Sequence, residues 1–202
     1  MQEIGSLVYD NVRLWRVKNQ VNVLEKASKL VKAHNLDVDS INLKILVPLL
    51  QNASLEEDDA LQDKWAAMLA NAATKNLPIE IAFPKILAEL SSLEVKVLDW
   101  LYVNKQTTSI DLNTIERHFE LEEGKLEVPA DNFLRLGIWE RFAQYSGYPE
   151  GEAVVGRKGE TLGYNMIENV VIEPFDDEIS FTILGRAFVR ACTFPKLETK
   201  NE

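Results

Sequence analysis

Four consecutive acids, Glu56, Glu57, Asp58 and Asp59, are followed one helical turn later by Asp63. Carboxylates bind hard cations such as magnesium or calcium, and a metal held by Glu56, Asp59 and Asp63 could activate water in a hydrolase or nuclease. Such a site needs further oxygens from elsewhere, and no calcium-loop spacing is present. The same residues also suit the start of a helix. Ser54 followed three residues later by Glu57 has the form of a capping box, in which the hydroxyl and the carboxylate satisfy each other's backbone N–H groups. The positive end of the helix dipole favours the acids that follow. At about 100° per residue Leu61, Trp65, Met68, Leu69 and Ala72 share one face, with Glu56, Asp59 and Asp63 roughly opposite. The helix-start reading is the stronger, and the metal site is kept as the alternative.

Other chemistry-bearing residues are few. His34 falls at a helix end, and His118 stands beside Arg117 in RHFE. Neither belongs to an H-E-x-x-H pattern or to a recognisable nucleophile–base arrangement. The single cysteine, Cys192, lies in GRAFVRACTF and reads as a small buried apolar residue. It excludes an internal disulfide framework and a multi-cysteine zinc site. Gly156, Gly159 and Gly163 in VVGRKGETLG lack phosphate-loop spacing, so a wing or a partner-binding loop is expected there rather than a nucleotide cradle. These residues favour a protein that is not an enzyme and carries no cofactor.

The elements that would position these groups are mainly helical. Residues 4–34 form one or two amphipathic helices, with Ile4, Val8, Val12 and Trp15, then Val21, Leu24, Ser28 and Val31, at spacings of three and four. The phase slips near Lys18–Asn19, which predicts a kink or a rotation of the buried stripe. Asp39 or Ser40 can cap the next helix, over 41–53, in which Pro48 restarts or kinks the run. Pro84 suits the first turn of a further helix, and Ser91 or Ser92 caps the one after it. Beyond about residue 104 short helices are expected at 111–119 and 129–136, the second ended by Gly137 in a left-handed conformation. Strands are expected at 138–145 and 179–183, and a last helix at 184–192. Residues 146–163 contain five of the nine glycines and read as largely loop.

The predicted architecture is mainly α. It consists of an N-terminal helical bundle (1–91) followed by a winged-helix-like α+β domain with a small β-hairpin (92–195) and a disordered tail, KLETKNE (196–202). No run is apolar enough to span a bilayer, and MQEIGSLVYDNVRLWR lacks the form of a secretory signal. A cytoplasmic location is expected.

The net charge of −10 disfavours binding to a phosphate backbone. Residues 109–141, around the candidate recognition segment PADNFLRLG, carry four Lys/Arg against eight Asp/Glu, so nucleic acid is a poor partner for this half. Between Arg13 and His34, however, six cations face one acid, Glu25. That segment is +5, which leaves −15 on the remainder of the chain. Arg13, Trp15, Arg16, Lys18, Lys26, Lys29 and Lys32 are therefore candidates for contact with a protein partner, a second copy or an anionic membrane surface. The competing reading packs the same helix on its own acidic body.

LVPLLQNASLEEDDALQDKWAAMLANAA (46–73) resembles the signature of the abortive-infection alpha family of bacterial proteins, through Pro48, Ser54, Glu57, Trp65, Leu69 and Asn71. RLWRVKNQVNVLEKASKL looks like the family's entry helix, and FPKILAELSSLEVKVLDWL, FLRLGIWER and TILGRAFVRAC match later blocks in order. The resemblance implies a role in resistance to bacteriophage and brings no catalytic motif with it. Asn71, polar between Ala70 and Ala72, has no local partner that the sequence identifies.

Overall fold

The computed structural model describes residues 2–104, 109–141, 151–155, 161–166 and 178–194. Five helices occupy its first half: α1 (Gln2–Ala33), α2 (Leu43–Ala53), α3 (Asp59–Thr74), α4 (Phe83–Ala88) and α5 (Ser92–Asn104). Then come β1 (Ile110–Asp111), α6 (Leu112–His118), α7 (Glu127–Arg135), β2 (Trp139–Arg141), β3 (Gly151–Val155), β4 (Thr161–Met166), β5 (Glu178–Phe181) and α8 (Ile183–Ala191). The expectation of a mainly helical chain with a small antiparallel sheet holds.

α1 is one helix of 32 residues, about 48 Å long at 1.5 Å per residue, the first of the two expected forms (one helix or two), with a kink or a rotation of the buried stripe expected near Lys18–Asn19. No proline interrupts it. The apparent slip in its pattern arises because it carries two apolar stripes. Asn19, Val23, Ala27 and Val31, spaced by four, are buried against the body, whereas Val21 and Leu24 stay exposed. Trp15 and Val12 are also exposed, since the helix extends past the elements that would cover them.

α3 lies at the centre. Leu61, Trp65, Met68 and Leu69 are buried as their spacing predicts, and so are Ala66, Ala67, Ala70, Asn71 and Ala73. Small residues fill the flanks of the stripe, so neighbouring helices approach α3 on several sides.

The caps differ from the sequence reading at two of three helix starts. Ser54 ends α2, its backbone N–H donating to the Leu50 carbonyl at 3.1 Å. Asp58 is the N-cap of α3, accepting from the Leu61 N–H at 3.0 Å. The Ser54–Glu57 box does not form, because residues 54–57 are spent in the turn between two helices. Similarly, Asn42 rather than Asp39 or Ser40 caps α2, accepting from the Lys44 N–H at 2.9 Å. Asp39 forms an ion pair with Lys75 instead. A capping box does form at Ser91 and Glu94, whose carboxylate accepts from both the backbone N–H (2.6 Å) and the hydroxyl (2.7 Å) of Ser91.

In the second half, β1, β5 and β2 make a three-stranded antiparallel sheet in that order, with Ile110 opposite Ile179 and Trp139 opposite Phe181. Gly137 turns the chain from α7 into β2 with φ +69°, the left-handed cap expected of it. Part of the segment read as loop is a hairpin: β3 and β4 pair antiparallel, with Val154 opposite Gly163. β-branched Val154 and Val155 and the run Thr161–Met166 outweigh the glycine content there. Residues 142–150, 156–160 and 195–202 lie outside the described residues, and with them the rest of the 138–145 strand, Gly156, Gly159 and the expected tail.

One cluster of buried side chains runs from Val23 in α1 to Phe194, across the boundary expected at 91/92. Phe83 of α4 meets Phe188 of α8 edge-on, with ring centroids 5.6 Å apart. α8 also presses on the start of β2: a Cβ on Gly185 would fall 2.1 Å from the Ile138 carbonyl oxygen, so only glycine fits.

Candidate functional site

The acids that opened the sequence reading are brought against a lysine. Lys26 of α1 places its ammonium 2.6 Å from Asp59 Oδ1 and 2.7 Å from Asp63 Oδ1. Partial burial alone would lower its pKa, but the hydrogen bonds and charges of Asp59 and Asp63 outweigh that and raise it. The ammonium thus stands where a cation shared by these two carboxylates would sit. Glu56 turns elsewhere and accepts from the Asp58 N–H at 3.0 Å. Among the described residues, no group of three or more His, Cys, Asp or Glu is arranged to hold a metal ion.

The polar residues of the signature are tie-points between elements. Ser54 accepts from Arg16 Nε at 2.9 Å and donates to the Gln51 carbonyl at 2.6 Å, while its own carbonyl accepts from buried Asn19 at 3.2 Å. Gln20 donates to the Leu50 carbonyl at 3.1 Å. Three side chains of α1 therefore fasten the end of α2, Asn19 and Gln20 through backbone carbonyls and Arg16 through the Ser54 hydroxyl. Asn71 is fully buried. Its amide donates to the carbonyls of Ala191 and Thr193, at 2.9 and 3.1 Å, at the end of α8. Pro48 lies inside α2, and Trp65 and Leu69 pack in the core, whereas Glu57 is exposed.

Sequence reasoning missed four buried polar groups. Asn19, Gln62, Glu94 and Glu116 are buried, and Glu116 accepts from the Leu126 and Gly124 N–H groups at 2.9 and 3.2 Å. For Asn19 the available signal is a polar residue at a buried-stripe position, hidden because Val21 and Leu24 offer a second stripe of the same spacing.

The histidines and the cysteine take packing roles. His34 hydrogen-bonds the Leu30 carbonyl through Nδ1 at 2.8 Å and meets Phe194 edge-on. His118 stacks on Trp100 with centroids 4.2 Å apart. Cys192 is buried, and desolvation pushes its thiol far above the usual range, which keeps it protonated and unreactive at neutral pH.

The longest accessible stretch among the described residues is on α1. From Asp10 to Lys18 every side chain is exposed, including Arg13, Trp15 and Arg16, and Lys29 and Lys32 are exposed further along. Of the seven candidates for membrane or partner contact, Arg16 and Lys26 are engaged with the body through Ser54, Asp59 and Asp63. Beside the second half of α1 lies an apolar groove of about 550 Å³, walled by Leu24 and Val31 on one side and by Val38, Ile41 and Leu69 on the other. Among the described residues no helix is long and apolar enough to cross a membrane.

Fold and site together define a mainly helical protein with a small antiparallel sheet and one cluster of buried apolar side chains. Among the described residues, one long helix exposes six large apolar side chains between Val12 and Leu24. The chain belongs to the abortive infection alpha family, whose model matches residues 12–192. Neither a curated protein nor a solved structure matches it.

Proposed function

We propose that the protein takes part in bacterial defence against bacteriophage, of the abortive-infection type, through contacts with other proteins rather than through chemistry of its own. The family match over residues 12–192 carries this reading. The roles of the signature residues support the second half of it. Asn71 and Ser54 tie elements together, Trp65 packs in the core, and Asp59 and Asp63 are held by Lys26. The uncovered N-terminal half of α1 is the surface the reading assigns to a partner, and its cations keep an anionic membrane as a second candidate there. We take the compartment to be the cytoplasm, which suits a chain whose one cysteine is a buried free thiol.

We read residues 92–194 as winged-helix-like. The order α5, β1, α6, α7, β2, hairpin, β5 and the sheet order β1-β5-β2 support this. With eight acids against four Lys/Arg over 109–141, this half is better suited to protein contact than to a phosphate backbone.

Plating a broad phage panel on cells with and without the gene, in its native operon, tests the defence role. Reduced plating is expected, and unchanged plating across the panel would count against it. An Asp59→Ala/Asp63→Ala chain that still protects is expected; loss of protection with an intact fold would favour the metal-dependent hydrolase instead.

A further inference from the structure

The face of α1 that points away from the body carries Leu14, Val17, Val21 and Leu24, spaced three, four and three, and they are 66%, 51%, 44% and 45% exposed. That alternation is the spacing of a helix–helix seam, in which side chains of one helix enter the gaps of another. Continued by four and three it reaches exposed Ser28 and then Val31, which is largely buried at the floor of the 550 Å³ groove that Leu24 and Ser28 also line. One face of one helix is thus an uncovered ridge in its first half and the wall of an apolar groove in its second. A ridge and a groove on the same helix are complementary under a two-fold rotation.

Independently of any role in defence, we propose that a second copy of this chain covers the face, its α1 antiparallel to the first. With the two-fold axis between residues 22 and 23, Val21 meets Leu24 of the second copy. Leu14 and Val17 then lie over Val31 and Ser28, so the ridge of each chain enters the groove of the other. Ser28, a small residue at a seam position, leaves room for the incoming valine. The charges agree with this direction. Lys18 and Glu25 each follow a seam residue and flank the seam on the same side. Antiparallel packing places Lys18 opposite Glu25 of the second copy, twice, and Glu25 is the one acid between Arg13 and His34. Parallel packing would instead bring Arg13 of each chain to Lys18 of the other, like charge against like.

Sedimentation equilibrium of the full chain over a range of concentrations tests the assembly. The wild type is expected to be dimeric. Val17→Asp and Leu24→Asp, both at exposed positions, should raise the dissociation constant at least about tenfold, equivalent to ~1.4 kcal/mol, with unchanged far-UV circular dichroism. Lys18→Glu should weaken the dimer, and Lys18→Glu/Glu25→Lys should restore it.

Direction is read by oxidising mixed Val21→Cys and Leu24→Cys chains, since the native Cys192 is buried and leaves the introduced thiols as the reactive pair. A disulfide joining the two different chains is expected. Links formed within each variant alone would show parallel packing and overturn the arrangement. A wild type that stays monomeric throughout would overturn the proposal, as would a Val17→Asp chain that still dimerises with wild-type affinity. A monomer that binds phosphatidylserine vesicles through Leu14 and Val17 would show the face to be a membrane contact, which also overturns it.

Discussion

Asn71 donates a hydrogen bond to the carbonyl oxygen of Ala191 at 2.9 Å, across 120 residues of sequence. A second bond from the same amide, to Thr193 at 3.1 Å, makes this side chain a clasp between the centre of α3 and the end of α8. Both carbonyls lie at a helix C-terminus, where the backbone has no partner of its own. The residue that the sequence left without a role therefore joins the central helix to the last one.

Replacing Asn71 by Ala should destabilise the protein by about 1–3 kcal/mol, the cost of leaving buried carbonyls unpaired. The midpoint of thermal unfolding should fall by roughly 2–4 °C per kcal/mol for a chain of this size. Differential scanning calorimetry of the variant checks this. A change within error would show that water replaces the amide without loss.

Gly185→Ala should be among the most damaging single-methyl additions available. Its Cβ would fall 2.1 Å from the Ile138 carbonyl oxygen, a backbone atom that cannot rotate away. Overpacking of about 1–3 kcal/mol or more is expected. Loss of soluble yield together with faster limited proteolysis is the measurable outcome, and a wild-type urea midpoint would contradict it.

Acid should destabilise the fold through its helix caps. Asp58 has a lowered pKa because its carboxylate accepts from the Leu61 N–H and from the Ser92 hydroxyl. Asp111 is lowered chiefly by its bond with the Thr114 hydroxyl. Both folded values lie below the unfolded value of 3.8, so the stabilisation is fully present above that pH. It is lost as the pH falls through the lowered values. Urea midpoints followed from pH 7 down to about 3 should drop most steeply below about 4, and less so in an Asp58→Asn/Asp111→Asn chain.

The Lys26 pairs predict a small effect with a clear sign. Asp59 and Asp63 are largely exposed, so Lys26→Gln should cost less than about 1 kcal/mol, and less still in high salt. Titration calorimetry of the wild type with magnesium should give no binding heat, because an ammonium already lies between the two carboxylates. Saturable heat would revive the metal-site reading of Glu56, Asp59 and Asp63.

The buried face of α3, the left-handed turn at Gly137, a cap at Ser91 or Ser92 and the concentration of positive charge on α1 were legible in the sequence. Each depends on neighbours within a few positions: a periodic stripe, a glycine after a helix, a hydroxyl three residues before a glutamate. Family membership was legible too, since it depends on the wording of residues 46–73. Which of two apolar stripes on α1 would be covered was a tertiary decision, because both have helical spacing and only the placement of α2 and α3 separates them. The same holds for Ser54. Its local pattern fits a cap, but the end of α2 and the reach of Arg16 claim it first. The partners of Asn71 and the place of Lys26 between two acids were likewise beyond local inference. They join residues that only the packed helices bring within hydrogen-bond distance.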